Sequence, residues 1–176
     1  LVKEGLKRLK NTRNPGLREL IRVNGLEDSK ITAYHVGFVL GPCINASGRL
    51  DTAARSLALL NAENQGEAAK LAGDLTALNQ SRKSLTEEGK EAAIHQVEDT
   101  DLKNDRVLVI YLPDCHESIA GIIAGRIREK YHKPTFVLTK GENSAKGSGR
   151  SIEAYSMYEE LVRCADLLIQ FGGHPM

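Results

Sequence analysis

The sequence predicts an α/β protein built as a helical first part, a long connecting helix and a small α/β lobe. Three observations carry that expectation. The first sixty or so residues hold short apolar-periodic stretches punctuated by Pro and Gly, as at Asn14-Pro15-Gly16 and Gly41-Pro42. Residues 66–97 are polar, with Leu71, Leu75, Leu78 and Leu85 recurring at helical spacings on a narrow stripe. From Asp105 the character changes: a β-rich run, an apolar helix rich in Gly and Ala, and a second β-rich run follow one another.

Taken in order, residues 1–10 read as a helix with Leu1, Leu6 and Leu9 on one side, residues 16–24 as a second, and residues 30–40 as a third that ends at Gly41-Pro42. Asp51 is placed to cap the next helix, which carries Leu57, Leu59 and Leu60. The long helix over 66–97 has the length and acidity of a connector, weakened somewhat by Gly73 and Gly89. Residues 105–112 read as a strand apolar on both faces, Ser118 to Lys130 as a helix, 134–139 as a second strand and 144–151 as a short strand or loop. Ser156 with Glu159 forms a capping box that opens a helix running to about Gln170. The boundary between the parts falls near residues 99–104.

Composition narrows the function classes. Hydrophobic residues make up 41% of the 176, enough for a packed core, and there is no stretch of eighteen apolar residues to span a membrane. Cys43, Cys115 and Cys164 are widely spaced without a CxxC pair, which argues against a zinc site or a disulfide framework and for a reduced, cytoplasmic setting. Leu1 is not a natural start and the chain stops in a glycine-rich stretch, so both ends are expected to be cut from something longer. Net charge is +1, but it is segregated: residues 126–150 carry seven positive and two negative side chains, residues 61–105 five and ten. The late basic segment suits phosphate.

The local motifs point the same way. In Lys146-Gly147-Ser148-Gly149-Arg150-Ser151, two glycines permit close backbone approach and positive φ, the Ser148 hydroxyl is a donor, and the Arg150 guanidinium can grip two phosphate oxygens. Gly41 to Arg49 reads as a rigid small-residue loop between helices that turns Asn45 and Arg49 inward. Gly172-Gly173-His174 suits a backbone nest beside an imidazole. His116 follows the first strand of the second lobe, where ligands of α/β folds gather. Asp99-Thr100-Asp101 lies in a polar connector and reads as solvated linker, and neither a Walker loop, a GxGxxG nor a nucleophile elbow with a triad is present. Eight aromatic residues and no Trp leave little for a base-stacking platform, so binding should rest on phosphates, with low sequence preference and strong salt dependence.

These motifs occur in an order that resembles the single-strand-specific exonucleases of the DHH phosphoesterase superfamily. Leu6–Leu20 is similar to the helical stretch after the family's catalytic core, Gly41–Leu50 to its Gly-Pro-Arg-Ile/Leu-Asn-Ala-Ala-Gly-Arg-Leu segment, and Leu75–Lys83 to its connector helix. His116 with Ile119–Ile127, then Lys146–Ile152 and Phe171–Met176, complete the series. The resemblance implies the helical tail of a DHH lobe over residues 1–62, a connector helix and linker over 63–104, and a DHHA1-type α/β lobe over 105–176. It implies a metal-dependent 5′–3′ exonuclease of single-stranded DNA, serving repair and recombination, with Mg²⁺ or Mn²⁺ in the whole enzyme. The catalytic and metal-binding residues would lie before Leu1, so no metal, no catalytic residue and no cleavage are expected of this chain alone.

On that resemblance Arg49, Ser148 and Arg150 hold the terminal 5′-phosphate, His116 and His174 sit near substrate phosphates, Asn45 orders the surroundings of Arg49, and Lys146 adds charge. Gly147, Gly149, Gly172 and Gly173 supply backbone contacts. Three departures stand out: Cys43 replaces the usual arginine, Glu117-Ser118 replaces the residues that usually follow the histidine, and the chain stops before the Ala-Ala-Gly that normally follows Gly-Gly-His-Pro-Met. Two alternatives stay open: a related phosphodiesterase acting on short oligonucleotides or cyclic dinucleotides, and a non-catalytic scaffold relative. No membrane partner is expected, and no protein partner is legible.

Overall fold

The structure is a computed structural model that describes residues 1–173. It divides into two compact units, Leu1–Ser84 and the residues from Leu85 onward. The split falls inside the long helix.

The first unit is helical. Helix α1 (Val2–Lys10) rests Leu6 and Leu9 on the core but buries no residue fully. Helix α2 (Pro15–Val23) begins where the sequence dictates: Asn14 caps it by accepting from the Leu17 N–H at 2.9 Å, and Pro15, which has no N–H to leave orphaned, opens the first turn. Three more helices follow in this unit, a short α3 (Ala33–His35), α4 (Gly41–Leu50) and α5 (Ala54–Leu60). Gly16 lies so close to α5 that a β-carbon there would come within 1.8 Å of the Leu59 carbonyl oxygen, and the Asn14 amide donates to the Leu60 carbonyl at 2.7 Å. Leu20, Ile21, Leu26, Ile31, Leu40, Cys43 and Leu59 form the core, completed by Ala72 and Leu75 from α6 (Gln65–Glu98).

Gly41-Pro42 does not end a helix. The chain runs from α3 through a π turn (Val36–Leu40), closed by the Gly41 N–H on the Val36 carbonyl, directly into α4. A proline ring in a regular α-helix collides with the carbonyl four residues back; a widened turn relieves that collision, so Pro42 is carried rather than expelled. The expected rigid loop over 41–49 is therefore helix. Asp51 does not cap α5 either. Its carboxylate pairs with Arg55, and the Thr52 hydroxyl accepts from the Ala54 N–H at 3.3 Å instead.

The second unit holds the end of α6, strand β1 (Leu108–Tyr111), helix α7 (Glu117–Tyr131), strands β2 (Thr135–Lys140) and β3 (Ala145–Arg150), and helix α8 (Met157–Arg163). The sheet order is β1-β2-β3. β1 and β2 are parallel, joined through α7, and β3 returns antiparallel. One face carries the core: Leu108, Ile110 and Val137 pack with Ile119, Ile123 and Ile127 of α7 and Ala93 and Val97 of α6. β1 alternates rather than being buried on both faces; Val109 and Tyr111 remain about half exposed. Helix α8 opens at Ser156, as the capping pattern foretold, but stops at Arg163 and gives way to a 3₁₀ turn. Leu167 and Ile169, which extended the apolar pattern toward Gln170, are exposed and offer no buried face to hold further turns.

The first unit also contains one buried charge. Glu19 is fully buried; its carboxylate accepts from Arg22 at 2.6 Å and from the Gln65 amide at 3.1 Å. The hydrogen bond from Arg22 holds the carboxyl below its ordinary value, against the opposing push of burial. Ionised Glu19 therefore stabilises the fold above the usual carboxylate value of 4.5, and the contribution is lost as pH falls through the lower folded value. Because Arg22 is half exposed, Glu19→Ala should cost about 2 kcal/mol near neutral pH, less than the 3–5 kcal/mol typical of a wholly buried pair. Urea unfolding checks it: the gap between wild type and variant should narrow as pH falls below the usual carboxylate value.

Candidate phosphate-binding site

The site is built on the antiparallel edge of the sheet. Side chains alternate along a strand, so Lys146, Ser148 and Arg150 share one face of β3 and Gly147 and Gly149 the other. Register fixes which face is which. Lys146, Ser148 and Arg150 lie opposite Thr139, Val137 and Thr135, all buried beneath α7. The three polar groups of the motif thus line up on the helix side of the sheet.

Helix α7 makes room for them. A β-carbon on Gly121 would come within 2.7 Å of Arg150 Nη2, 3.3 Å of Cζ and 3.3 Å of Ser148 Cβ, and one on Gly125 would lie 4.0 Å from Arg150 Cγ. The Arg150 side chain crosses the helix over these two glycines, with its guanidinium at Gly121. Its Nη1 donates to the Gly149 carbonyl at 2.7 Å, which fixes the plane of the fork, and the residue stays exposed to solvent. A planar cation with a neighbouring hydroxyl is suited to a tetrahedral oxyanion.

At the N-terminus of α7, His116 is the cap. Its Nδ1 accepts from the Ser118 N–H at 3.3 Å and lies 2.7 Å from the Ser118 hydroxyl. With Nδ1 accepting, the neutral ring carries its proton on Nε2. The next residue, Glu117, pairs with Lys146 at 2.8 Å. Lys146 holds the Glu117 carboxyl below its ordinary value, and Glu117 in turn raises the Lys146 ammonium.

The motif glycines have another purpose than the one their sequence suggests. Gly147 and Gly149 are extended strand residues, not a positive-φ nest; among the described residues the glycine at positive φ is Gly25. A β-carbon at Gly149 would press within 2.4 Å of Met157 Sδ and 2.7 Å of the Phe136 ring, and one at Gly147 within 2.4 Å of Leu138 Cδ2. They are small because the opposite face of the sheet is packed. Gly172 and Gly173 adopt no positive φ either, and Gly173 lies beside the Tyr158 ring. His174 lies outside the described residues.

Asn45 and Arg49 belong to the first unit, one turn apart on the exposed side of α4, while Cys43, Ala46 and Ser47 face inward. They are on a helix and face solvent, not turned inward from a loop. Also in the first unit, and not singled out by sequence reasoning, is Arg82. Its Nε and Nη2 both donate to Asn79 Oδ1, at 3.2 and 3.0 Å, and the buried Asn79 amide donates to Cys43 Sγ at 3.5 Å. Burial lowers the pKa of Arg82 first, and the like charge of Arg49 lowers it further. Asn79 and Arg82 stand three apart on α6, a spacing that puts them side by side and could have drawn attention to the pair. Cys43, the departure from arginine, is fully buried and accepts from Asn79.

Among the described residues no three His, Cys, Asp or Glu side chains converge to hold a metal ion. No helix of the described residues is long and apolar enough to cross a membrane.

With this geometry in view, the relatives are informative. Residues 104–176 match the DHHA1 domain, which places the sheet-bearing lobe in that domain class. Over its whole length the chain is 37% identical to the single-stranded-DNA-specific exonuclease RecJ of Salmonella typhimurium. Its fold matches the crystal structure of RecJ from Thermus thermophilus with Mg²⁺ at a TM-score of 0.85, with 35% identity, over 98% of this chain and 26% of that one. The corresponding Mn²⁺ structure matches at 0.84, with 36% identity, over 98% of this chain and 25% of that one. The chain is thus similar to the DHHA1-bearing region of these RecJ proteins, and it spans about a third of the length of the curated Salmonella relative.

The Gly121 cradle can be tested directly. Gly121→Ala replaces a poor helix former with a good one, a gain of up to about 1 kcal/mol, but sets the new methyl 3.3 Å from Ser148 Cβ, so the two effects oppose and stability should change by no more than about 1 kcal/mol. The new methyl displaces the end of the Arg150 side chain. Phosphate-dependent binding should fall about tenfold while the melting temperature moves by only a few degrees; calorimetric titration beside thermal unfolding reads both.

Proposed function

We propose that this chain is the substrate-gripping part of a metal-dependent 5′–3′ exonuclease acting on single-stranded DNA. The carrying observation is the alignment of Lys146, Ser148 and Arg150 on one face of β3, with the Arg150 guanidinium laid over Gly121. This arrangement offers a bidentate cation, a hydroxyl and an ammonium along one line, which suits a terminal 5′-phosphate. His116 at the α7 cap borders it through Glu117. Arg49 and Arg82 add a second basic locus in the first unit for the strand's backbone, with Asn45 beside Arg49. The RecJ relatives are named as single-stranded-DNA-specific exonucleases, and the one from Thermus thermophilus was solved with Mg²⁺ and with Mn²⁺. The whole enzyme would use such a metal to activate water for attack on a phosphodiester, in a cytoplasmic setting of repair and recombination. Nothing in the site favours short oligonucleotides or a scaffold role over this reading.

Binding to single-stranded DNA with and without a 5′-phosphate tests it, at two salt concentrations. The phosphorylated strand should bind more tightly, salt should weaken both, and Arg150→Ala should erase the difference at a cost of about 2 kcal/mol. Equal binding to both ends would count against the assignment. A second assay concerns cleavage. The purified chain should release no nucleotides from single-stranded DNA even with Mn²⁺, and chelator-sensitive release would contradict the division of labour proposed.

A further inference from the structure

We propose that Asn79 is a positioning residue for strand binding by the first unit: a one-way hydrogen-bond relay rooted on a main-chain carbonyl turns its amide oxygen toward Arg82 and presents that guanidinium to an internal phosphate of the strand. The proposal rests on the reading of Arg82 as a contact for the strand's backbone and concerns the interior of the strand, not its end. Arg82 donates through Nε and Nη2 to Asn79 Oδ1, at 3.2 and 3.0 Å. The Asn79 amide donates to Cys43 Sγ at 3.5 Å, and the Cys43 thiol donates to Asn24 Oδ1 at 3.8 Å. The Asn24 amide donates to the Leu20 carbonyl at 2.8 Å, which ends the series on the main chain of α2.

Every link runs in the same sense. A backbone carbonyl only accepts, so Asn24 offers it the amide nitrogen and keeps its own oxygen for Cys43. The thiol has spent its one proton on Asn24 and can only accept from the other side, so Asn79 meets it with Nδ2. The oxygen of Asn79 is thereby turned to residue 82, where a donor is required. An amide turned over would set N–H against N–H at Arg82 and oxygen against sulfur at Cys43. Asn79 and Cys43 are 5% and 0% exposed, so water does not repair the broken links. The plane of the guanidinium is set in this way from α2, through α4, to α6. Asn79 grips the Nε edge of the fork, and it does so as a neutral acceptor. A carboxylate in its place would hold Arg82 equally well and cancel its charge. Arg82 remains a cation beside the like charge of Arg49, an arrangement that an arriving phosphate relieves. Fixing the fork before the strand arrives spares the ordering of a long side chain, worth about threefold to tenfold in affinity.

The test uses this chain and a 5′-hydroxyl single strand, whose phosphates are all internal. Fluorescence anisotropy at several salt concentrations reads affinity, and urea unfolding reads the fold of each variant. Arg82→Ala should weaken binding and flatten the slope of log affinity against log salt by about 0.7, the increment for one phosphate contact on a single strand. Asn79→Leu keeps the size and net charge but removes the acceptor. It should weaken binding about threefold to tenfold and flatten the salt slope in the same direction, although no charge is lost. On the Arg82→Ala background the same change should alter binding by less than about twofold. Cys43→Ala, deeper still, frees the amide to turn and should weaken binding about threefold; it takes the place of Asn79→Leu if that variant does not fold. A merely structural Asn79 would lower the urea midpoint, leave the salt slope alone and act equally in both backgrounds, and that result overturns the proposal. If Arg82→Ala weakens binding while Asn79→Leu and Cys43→Ala bind as wild type, the strand contact stands and the positioning role falls. If Arg82→Ala changes neither affinity nor slope, or the wild-type chain has no measurable affinity, the reading of Arg82 beneath the proposal is wrong and both fall.

Discussion

The second unit depends on how closely β3 approaches α7. Glycine at position 121 leaves a gap in the helix surface where a β-carbon would meet Arg150 Nη2 at 2.7 Å. That gap does two things at once. It lets the sheet edge sit against the helix, and it gives the guanidinium a shelf on which its plane is set by the Gly149 carbonyl. On the opposite face, Gly147 and Gly149 answer a matching demand from Leu138, Phe136 and Met157. The strand is thin because both of its faces are crowded, and the polar side chains of the motif occupy what room remains.

The first unit answers a different constraint, the removal of polar groups from water in a helical core. Ser47 and Ser56 hydroxyls lie 2.7 Å apart, and Ser56 donates to the Ile44 carbonyl. Asn24, Cys43, Asn79 and Arg82 form a chain of hydrogen bonds from the interior to the surface of α6. Among the described residues no buried side-chain nitrogen or oxygen lacks a partner. The relay positions a guanidinium beside Arg49, and its rigidity comes from the interior groups behind it.

Much of this was legible from the residues alone. The helical first part, the long helix and the strand–helix–strand order around α7 follow from apolar spacing and from the cap residue Ser156, whose hydrogen bond is local. Lys146, Ser148 and Arg150 were legible as a group because alternation keeps them together in any strand register. What escaped depends on longer-range packing. The purpose of Gly147 and Gly149 is set by Met157 and Phe136, which sequence spacing does not bring near. Gly41-Pro42 reads as a helix stop because a π turn has no local pattern to announce it. Arg82 carries no local signal of its own, because its place depends on Asn79 and, through it, on Cys43 of another helix.

The π turn over Val36–Leu40 also sets the rotational phase of everything after it. A widened turn absorbs one residue more than a regular helix, and one residue is about 100° of rotation about the axis. Cys43, Ala46 and Leu40 face the core, while Asn45 and Arg49 face water, on that phase. Tightening the turn into regular helix would rotate the two sets against each other and carry the Arg49 side toward apolar surroundings. A short irregularity well ahead of the basic residues is thus a clock that times which of them reach the surface, and the insertion or loss of a single residue between 36 and 40 would reset it.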